Sequence, residues 1–237
     1  MTGGAGARPD AAVAASAHRA PPRVKVCCIG SIEEAALAIS CGASALGLVS
    51  RMPSGPGPID ESLIAAIIAT VPPPIATFLL TSATDAVSII DQQHRLRPTT
   101  LQLVDHVEPM LHRALRIALP GITLVQVVHV EDEASVDYAC HAAHTVDALL
   151  LDSGRLNTPV RELGGTGRTH DWTLSRRIRD TCGKPVFLAG GLHAGNVTAA
   201  IDAVAPFGLD LCTGVRTDGR LDGAKLSAFM SRVAALG

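Results

Sequence analysis

The chain is poor in aromatic residues: Phe, Tyr and Trp together make 3% of its 237 residues. Single-stranded nucleic acid is bound by stacking bases on exposed rings, so that class is excluded. Basic excess is missing as well. Lys and Arg number 20 against 22 Asp and Glu, a formal net charge of -2, which leaves no electrostatic footprint for a phosphate backbone and points to no nucleic-acid partner. Lys25, Lys184 and Lys225 are the only lysines. No two of Cys27, Cys28, Cys41, Cys140, Cys182 and Cys212 stand in C-x-x-C spacing, which argues against a thiolate zinc site or a thioredoxin motif. No run approaches the roughly 18 apolar residues of a membrane span. The first residues carry no apolar core of a secretory signal. A chain of this length builds its own core without disulfide staples, so the thiols read as reduced, in a cytoplasmic protein.

What is present is a globular composition, 47% hydrophobic and 18% charged. Residues 1–23 are rich in Ala and Gly, with Pro9, Pro21 and Pro22 and no periodicity; a flexible N-terminal arm is expected there, ahead of one catalytic domain over 24–237. From residue 24 short β-branched or Leu-rich runs alternate with longer segments of helical spacing. Strands are expected at 24–29, 44–49, 74–80, 99–103, 123–129, 147–152, 185–189 and 208–213. Helices are expected at about 31–41, 60–71, 84–94, 107–118, 132–144, 172–182, 194–204 and 222–236. Ser31 with Glu34 has capping-box spacing, Asp60 precedes another helical run, and Gly42 and Gly183 stand where a helix-ending glycine belongs. Runs such as "ALLLD" and "PVFLAG" are nearly all apolar, as in parallel strands covered on both faces. Eight such units predict an α/β fold, a single closed (β/α)8 TIM barrel; an open doubly wound sheet is the alternative.

Barrels of this kind place their chemistry at the C-terminal ends of the strands. Here those ends carry Cys27 and Cys28, Ser50 and Arg51, Thr81, Val104 and Asp105, His129, Asp152, Gly190 and Gly191, and Thr213 and Gly214. Alternation along the first strand puts Lys25 and Cys27 on the inner face, Val24, Val26 and Cys28 on the outer. An inward lysine needs a partner, and Asp210 on the neighbouring last strand is the candidate. Cys27 is then a thiol at the mouth, and Cys28 packs outward or shapes the turn. Asp152 follows an apolar run, and burial there would raise its pKa toward general-acid work, against a plainer role as a cap or loop ion pair. Thiol and carboxyl together suggest proton shuffling at a sugar or carbonyl carbon. Glycines after strands 7 and 8 fall where barrels bind phosphate through backbone N–H groups, and "LGGTGRTHDW", 163–172, adds a third glycine turn. His129 reads first as a hydrogen-bonded histidine at the core edge, His170 and His193 as loop residues, and Arg176, Arg177 and Arg179 as a solvated helix face.

Taken jointly, these stretches resemble the phosphoribosylanthranilate isomerase family. "VKVCCIGSIEEAALAISCGASALGLV" is similar to the family's V-K-I-C-G-I-T opening with its later G-A-D-A-L-G-F-V. "LQLV" resembles V-Q-L-H-G, and "LLLDS…GGTGRTHDW" resembles L-L-D-S…G-G-T-G-K-T-F-D-W. "LAGGL…NV" and "PFGLDLCTGV" resemble the last two strands. The resemblance runs from about Val24 to Phe229 and implies an Amadori rearrangement of a phosphorylated small-molecule substrate in tryptophan biosynthesis, with no cofactor and no metal. It implies Cys27 as general base, Asp152 as general acid, and phosphate at Gly190, Gly191, Thr213 and Gly214, beside a loop shaped by Gly165, Thr166 and Gly167. Arg51, Asp105 and His129 remain possible substrate contacts.

Departures from the family pattern are specific. The loop after strand 2 usually reads F-Y-P-K-S-P-R-Y; here "SRMPSGPGPID" puts Pro56 or Gly57 at the arginine's place. The histidine and glycine of V-Q-L-H-G are Val104 and Asp105. The glycine after the cysteine is Cys28, and the glutamate of S-S-G-V-E is Arg216. An isomerase or lyase of the same fold acting on another phosphorylated sugar or amine, and an inactive phosphometabolite-binding relative, are the rival expectations. Monomer and homodimer are both compatible, because an apolar helix face and an interface look alike in sequence.

Overall fold

The computed structural model describes residues 20–154 and 167–236. Eight parallel strands alternate with eight helices: β1 (Arg23–Val26), α1 (Ile32–Ser40), β2 (Ala45–Val49), α2 (Glu61–Thr70), β3 (Ala76–Thr81), α3 (Ala86–Leu96), β4 (Thr100–Leu103), α4 (Pro109–Ala118), β5 (Thr123–His129), α5 (Glu133–Ala143), β6 (Ala148–Asp152), α6 (Trp172–Thr181), β7 (Val186–Leu188), α7 (Val197–Val204), β8 (Gly208–Leu211) and α8 (Gly223–Ala234). The strands pair in order, and β8 returns to β1 to close the barrel. Of the expected arm, residues up to 19 lie outside the described residues, and Arg23 already opens β1.

Each strand is buried on both faces, which is why the apolar runs show no alternation. The outer faces pack with the helices into one continuous core that includes Val26, Leu46, Leu79, Leu101, Leu149 and Leu209. A separate cluster fills the barrel interior, with Ala45, Leu80, Val125, Val127, Leu150 and Phe187 among its members. There the rings of Phe78 and Phe187 meet edge to face, 5.7 Å apart.

Three local expectations are corrected. The Ser31 side chain accepts from Glu34 N–H as a cap should, but Glu34 does not reach back to Ser31; its carboxylate accepts from Gly30 N and Leu221 N instead. The last strand stops at Leu211 rather than 213, because a 3-10 turn (Thr213–Val215) and a small hairpin (Arg216–Thr217 with Arg220–Leu221) take over. Cys28 does not point outward: β1 ends at Val26, Cys28 adopts φ +61°, and its thiol joins the interior cluster. Strand parity holds only while the backbone stays extended, and a left-handed residue turns its side chain back.

Candidate active site

A cavity of about 690 Å³, counted out to solvent, opens where the eight strands end. Cys27, Cys28, Asp152, Gly190, Gly191, Asp210, Cys212, Thr213 and Gly214 are in its wall. Of these, Asp210 forms a buried ion pair with Lys25, which lies behind the cavity wall, Nζ to Oδ2 2.8 Å, linking β1 to β8. Burial opposes the charge on Lys25, but Asp210 and the two nearby thiols outweigh it and hold its pKa above the ordinary value. On Asp210 burial prevails and pushes the carboxyl up, against the pull of Lys25. Cys27 sits beside this pair. The neighbouring Cys28 thiol is the largest influence on it and, with the Lys25 ammonium, holds its pKa below that of an ordinary thiol against the opposing effect of burial; the Cys28 Sγ–H itself donates to Pro56 O at 3.6 Å. Room for it comes from β2: a Cβ on Gly47 would lie 2.7 Å from the Cys27 sulfur and 3.1 Å from Lys25 Nζ.

The opposite side of the cavity is backbone. Gly190 and Gly191 follow β7 with φ of +83° and +61°; Thr213 and Gly214 follow β8. The two turns touch so closely that a Cβ on Gly214 would stand 2.0 Å from the Leu192 carbonyl oxygen. Asn196 fixes the first turn, donating to Gly191 O at 3.0 Å and accepting from His193 N at 2.8 Å. The N–H groups of Gly190, Gly191, Thr213 and Gly214 have no acceptor among the described residues, and none of the described lysines, arginines or histidines lines the cavity. Convergent free amide donors of this kind suit an anion. Asp152, half-buried at the end of β6, accepts from Ser153 N at 2.7 Å. Among the described residues, no cluster of three or more His, Cys, Asp or Glu is placed to hold a metal ion.

The family model for N-(5'-phosphoribosyl)anthranilate isomerase matches residues 24–232. The chain belongs to this family. It is 35% identical over 212 residues, 89% of this chain and 93% of the relative, to N-(5'-phosphoribosyl)anthranilate isomerase 2 of Methanosarcina mazei. It is 32% identical over 198 residues, 84% of this chain and 91% of the relative, to the isomerase of Methanocella arvoryzae. Among solved structures, phosphoribosyl anthranilate isomerase from Thermotoga maritima superposes with a TM-score of 0.75 at 29% identity, over 90% of this chain and 99% of that one. A family structure holding reduced 1-(o-carboxyphenylamino)-1-deoxyribulose 5-phosphate superposes with a TM-score of 0.73 at 26% identity, over 90% of this chain and 99% of that one.

Of the residues that resemblance to the family nominates, Cys27, Asp152, Gly167, Gly190, Gly191, Thr213 and Gly214 come together around the cavity. Gly165 and Thr166 lie outside the described residues. Arg51 lines a separate surface depression with Glu61 and Arg95. His129 is buried, its Nε2 bonded to Val104 O at 2.9 Å, and it lines a third depression beside Tyr138. Asp105 is buried with Oδ1 accepting from His106 N.

Three further residues stand out: Gln102, which the sequence reading missed, and His170 and Arg216, read from sequence as a loop residue and as a departure from the family pattern. Gln102 lines the cavity with its buried Oε1 unpartnered; an inward amide amid apolar strand residues was the available signal. His170, in place of the family's phenylalanine, bonds Ser175 Oγ at 2.7 Å while its buried Nδ1 is unpartnered. Burial, the largest influence, lowers its pKa. Arg216, in place of the family's glutamate, donates to the carbonyls of Cys27 and Cys28 and pairs with Glu34 at 3.0 Å.

Proposed function

We propose that this chain catalyses the Amadori rearrangement of N-(5-phosphoribosyl)anthranilate to 1-(2-carboxyphenylamino)-1-deoxyribulose 5-phosphate, the isomerisation of tryptophan biosynthesis. Membership of the family supports this reading. The observation that carries it is the pairing of Cys27 and Asp152 on one cavity whose other side offers four amide donors to a phosphate. Asp152 is the general acid: it gives a proton to the ribose ring oxygen, the C1′–O bond breaks, and a protonated Schiff base forms. Cys27 is the general base. Its thiolate takes the C2′ proton, and the electron pair left behind neutralises the iminium to give an enolamine. The enol oxygen then releases its proton as C1′ gains one, leaving the C2′ ketone. A Cys27 pKa held below that of an ordinary thiol favours the thiolate form that this step uses.

The test is turnover of freshly generated N-(5-phosphoribosyl)anthranilate by purified protein. Wild type is expected to turn it over, and Cys27→Ala and Asp152→Asn each to lower kcat by about 10²–10⁴-fold. An inactive wild type, or full activity in Cys27→Ala, sinks the assignment.

One observation favours a second reading. The wall of the cavity beneath the β2–α2 loop is Met52, Ser54, Gly55 and Pro56, neutral where an anthranilate carboxylate would seek a cation. An isomerase of the same fold with another N-substituent fits that wall. Stabilisation by sugar phosphates, without stabilisation by anthranilate-bearing analogues, would select it. Among the described residues no helix is long and apolar enough to cross a membrane. Membership of a family of tryptophan biosynthesis supports a cytoplasmic enzyme working on phosphorylated metabolites.

A further inference from the structure

The barrel closes between β1 and β8, with Val26 opposite Leu211 and Cys27 N bonded to Leu211 O at 2.7 Å. The next residues along this seam are cysteines on both sides. The left-handed turn at Cys28 swings its side chain across the seam, and its sulfur stands 2.8 Å from that of Cys212. A disulfide bond is about 2.05 Å long, so less than an ångström separates the two thiols from bonding distance. Both line the cavity, Cys28 buried and Cys212 partly exposed. The guanidinium of Arg216 donates to Cys28 O and so holds the turn that brings the two sulfurs together.

We propose that Cys28 and Cys212 are an oxidative modification site: a reversible disulfide that forms across the mouth of the barrel and shuts the isomerase off. The oxidant is a hydroperoxide. Cys212, the more exposed thiol, attacks the peroxide as thiolate, becomes a sulfenic acid and expels the alkoxide, or hydroxide when the oxidant is hydrogen peroxide. That strong base takes the Cys28 proton and becomes the alcohol or water, and the Cys28 thiolate attacks the Cys212 sulfur and displaces hydroxide. The hydroxide is neutralised by the proton Cys212 gave to water, so two thiols and one hydroperoxide yield one disulfide, one water and the alcohol or water of the reduced peroxide. A dithiol reverses the step by exchange. Inhibition follows from position. Cys28 is drawn into the bond with Cys212 and away from Pro56 O, so the base loses the neighbouring thiol that most lowers its pKa, and the cross-link fixes one wall of the cavity.

The disulfide is independent of the proposed activity, whereas the shut-off rests on it, and the experiment separates the two. Full-length protein is treated with stoichiometric hydrogen peroxide, free thiols are alkylated, and the link is located by peptide mapping with fragmentation, with and without dithiothreitol. A Cys28–Cys212 link lost on reduction is expected in wild type. It is expected to be absent in Cys212→Ser and in Cys28→Gly, which places the family's usual residue at a left-handed position and so is compatible with the fold. In the same samples wild-type turnover is expected to fall about 10²-fold, the low end for losing a positioned base, and to return on reduction. Cys212→Ser, normalised to its own untreated rate, is expected to resist. Alkylation of both Cys28 and Cys212 after oxidation, with Cys27 or the outer pair Cys140 and Cys182 (sulfurs 2.9 Å apart) taking the oxidant instead, overturns the site. A Cys28–Cys212 link that leaves turnover unchanged overturns the shut-off alone. If untreated wild type shows no turnover, the activity assignment fails while the mapping still decides the site.

Discussion

At φ +61° Cys28 occupies a conformation that disfavours any residue with a Cβ by roughly 1–2 kcal/mol, at a place where the family usually has glycine. What accompanies that strain is a thiol beside Cys27 that holds its pKa down. Replacing Cys28 by Gly relieves the backbone and removes that thiol, so the two consequences are separable. The alkylation rate of Cys27, followed by peptide mass as pH is varied, is expected to rise at higher pH in Cys28→Gly than in wild type, because the contact that most lowers its pKa is gone. An unmoved profile would assign the thiolate to Lys25 alone. Alternation was enough to place Cys27 in sequence, since its N–H still follows the ladder to Leu211 O. It failed one residue later, where the chain leaves the strand and no pattern reports the dihedral angle.

Helix α1 shows the same limit at the scale of an element. The spacing of Ser31 and Glu34 is local and was legible; the partner that claims Glu34 is Arg216, 182 positions away, and no local pattern records it. The pair ties the start of α1 to the hairpin after β8, and through Arg216 to the carbonyls of Cys27 and Cys28. Burial pushes the Glu34 carboxyl up, but hydrogen bonds from Arg216, Leu221 N and Gly30 N prevail and hold it below its usual range. A carboxyl depressed on folding adds stability above its unfolded pKa and loses it as pH falls through the native value. Glu34→Gln is therefore expected to lower the unfolding free energy at pH 7 by about 1.5–3 kcal/mol, the range for a hydrogen bond to a charged group. Solvent screening of this half-buried pair argues for the lower end. The deficit is expected to shrink in urea melts at about pH 3.5, below the ordinary Glu pKa of about 4.3. A deficit that stays constant with pH would mean that shape rather than charge matters there. The hairpin itself was not foreseen, because two-residue strands carry no periodicity.

Across the whole molecule the barrel was legible because every strand is covered twice, so eight apolar runs separated by helices have few other solutions. Closure left one further trace: a lysine on the inner face of the first strand demands an anion, and only a returning last strand supplies Asp210. With both groups buried and 2.8 Å apart, removing one leaves the other uncompensated. Lys25→Met is expected to lower stability by about 3–5 kcal/mol, and the Lys25→Met, Asp210→Leu double variant to recover most of it, since buried pairs are often replaced by apolar residues at little loss. The single variant has a pH signature of its own. Without Lys25, Asp210 is a buried carboxyl whose pKa stands even further above its unfolded value, so the native state holds a proton that the unfolded chain releases. Stability that depends on holding that proton is complete below the unfolded Asp pKa of about 3.9 and declines as pH rises through the native value. The gap between wild type and Lys25→Met is accordingly expected to widen in urea melts from about pH 4 to 7, while the gap between wild type and the double variant stays flat. A double variant as unstable as the single one would show that the seam between β1 and β8 depends on this charge pair and not on the packing around it.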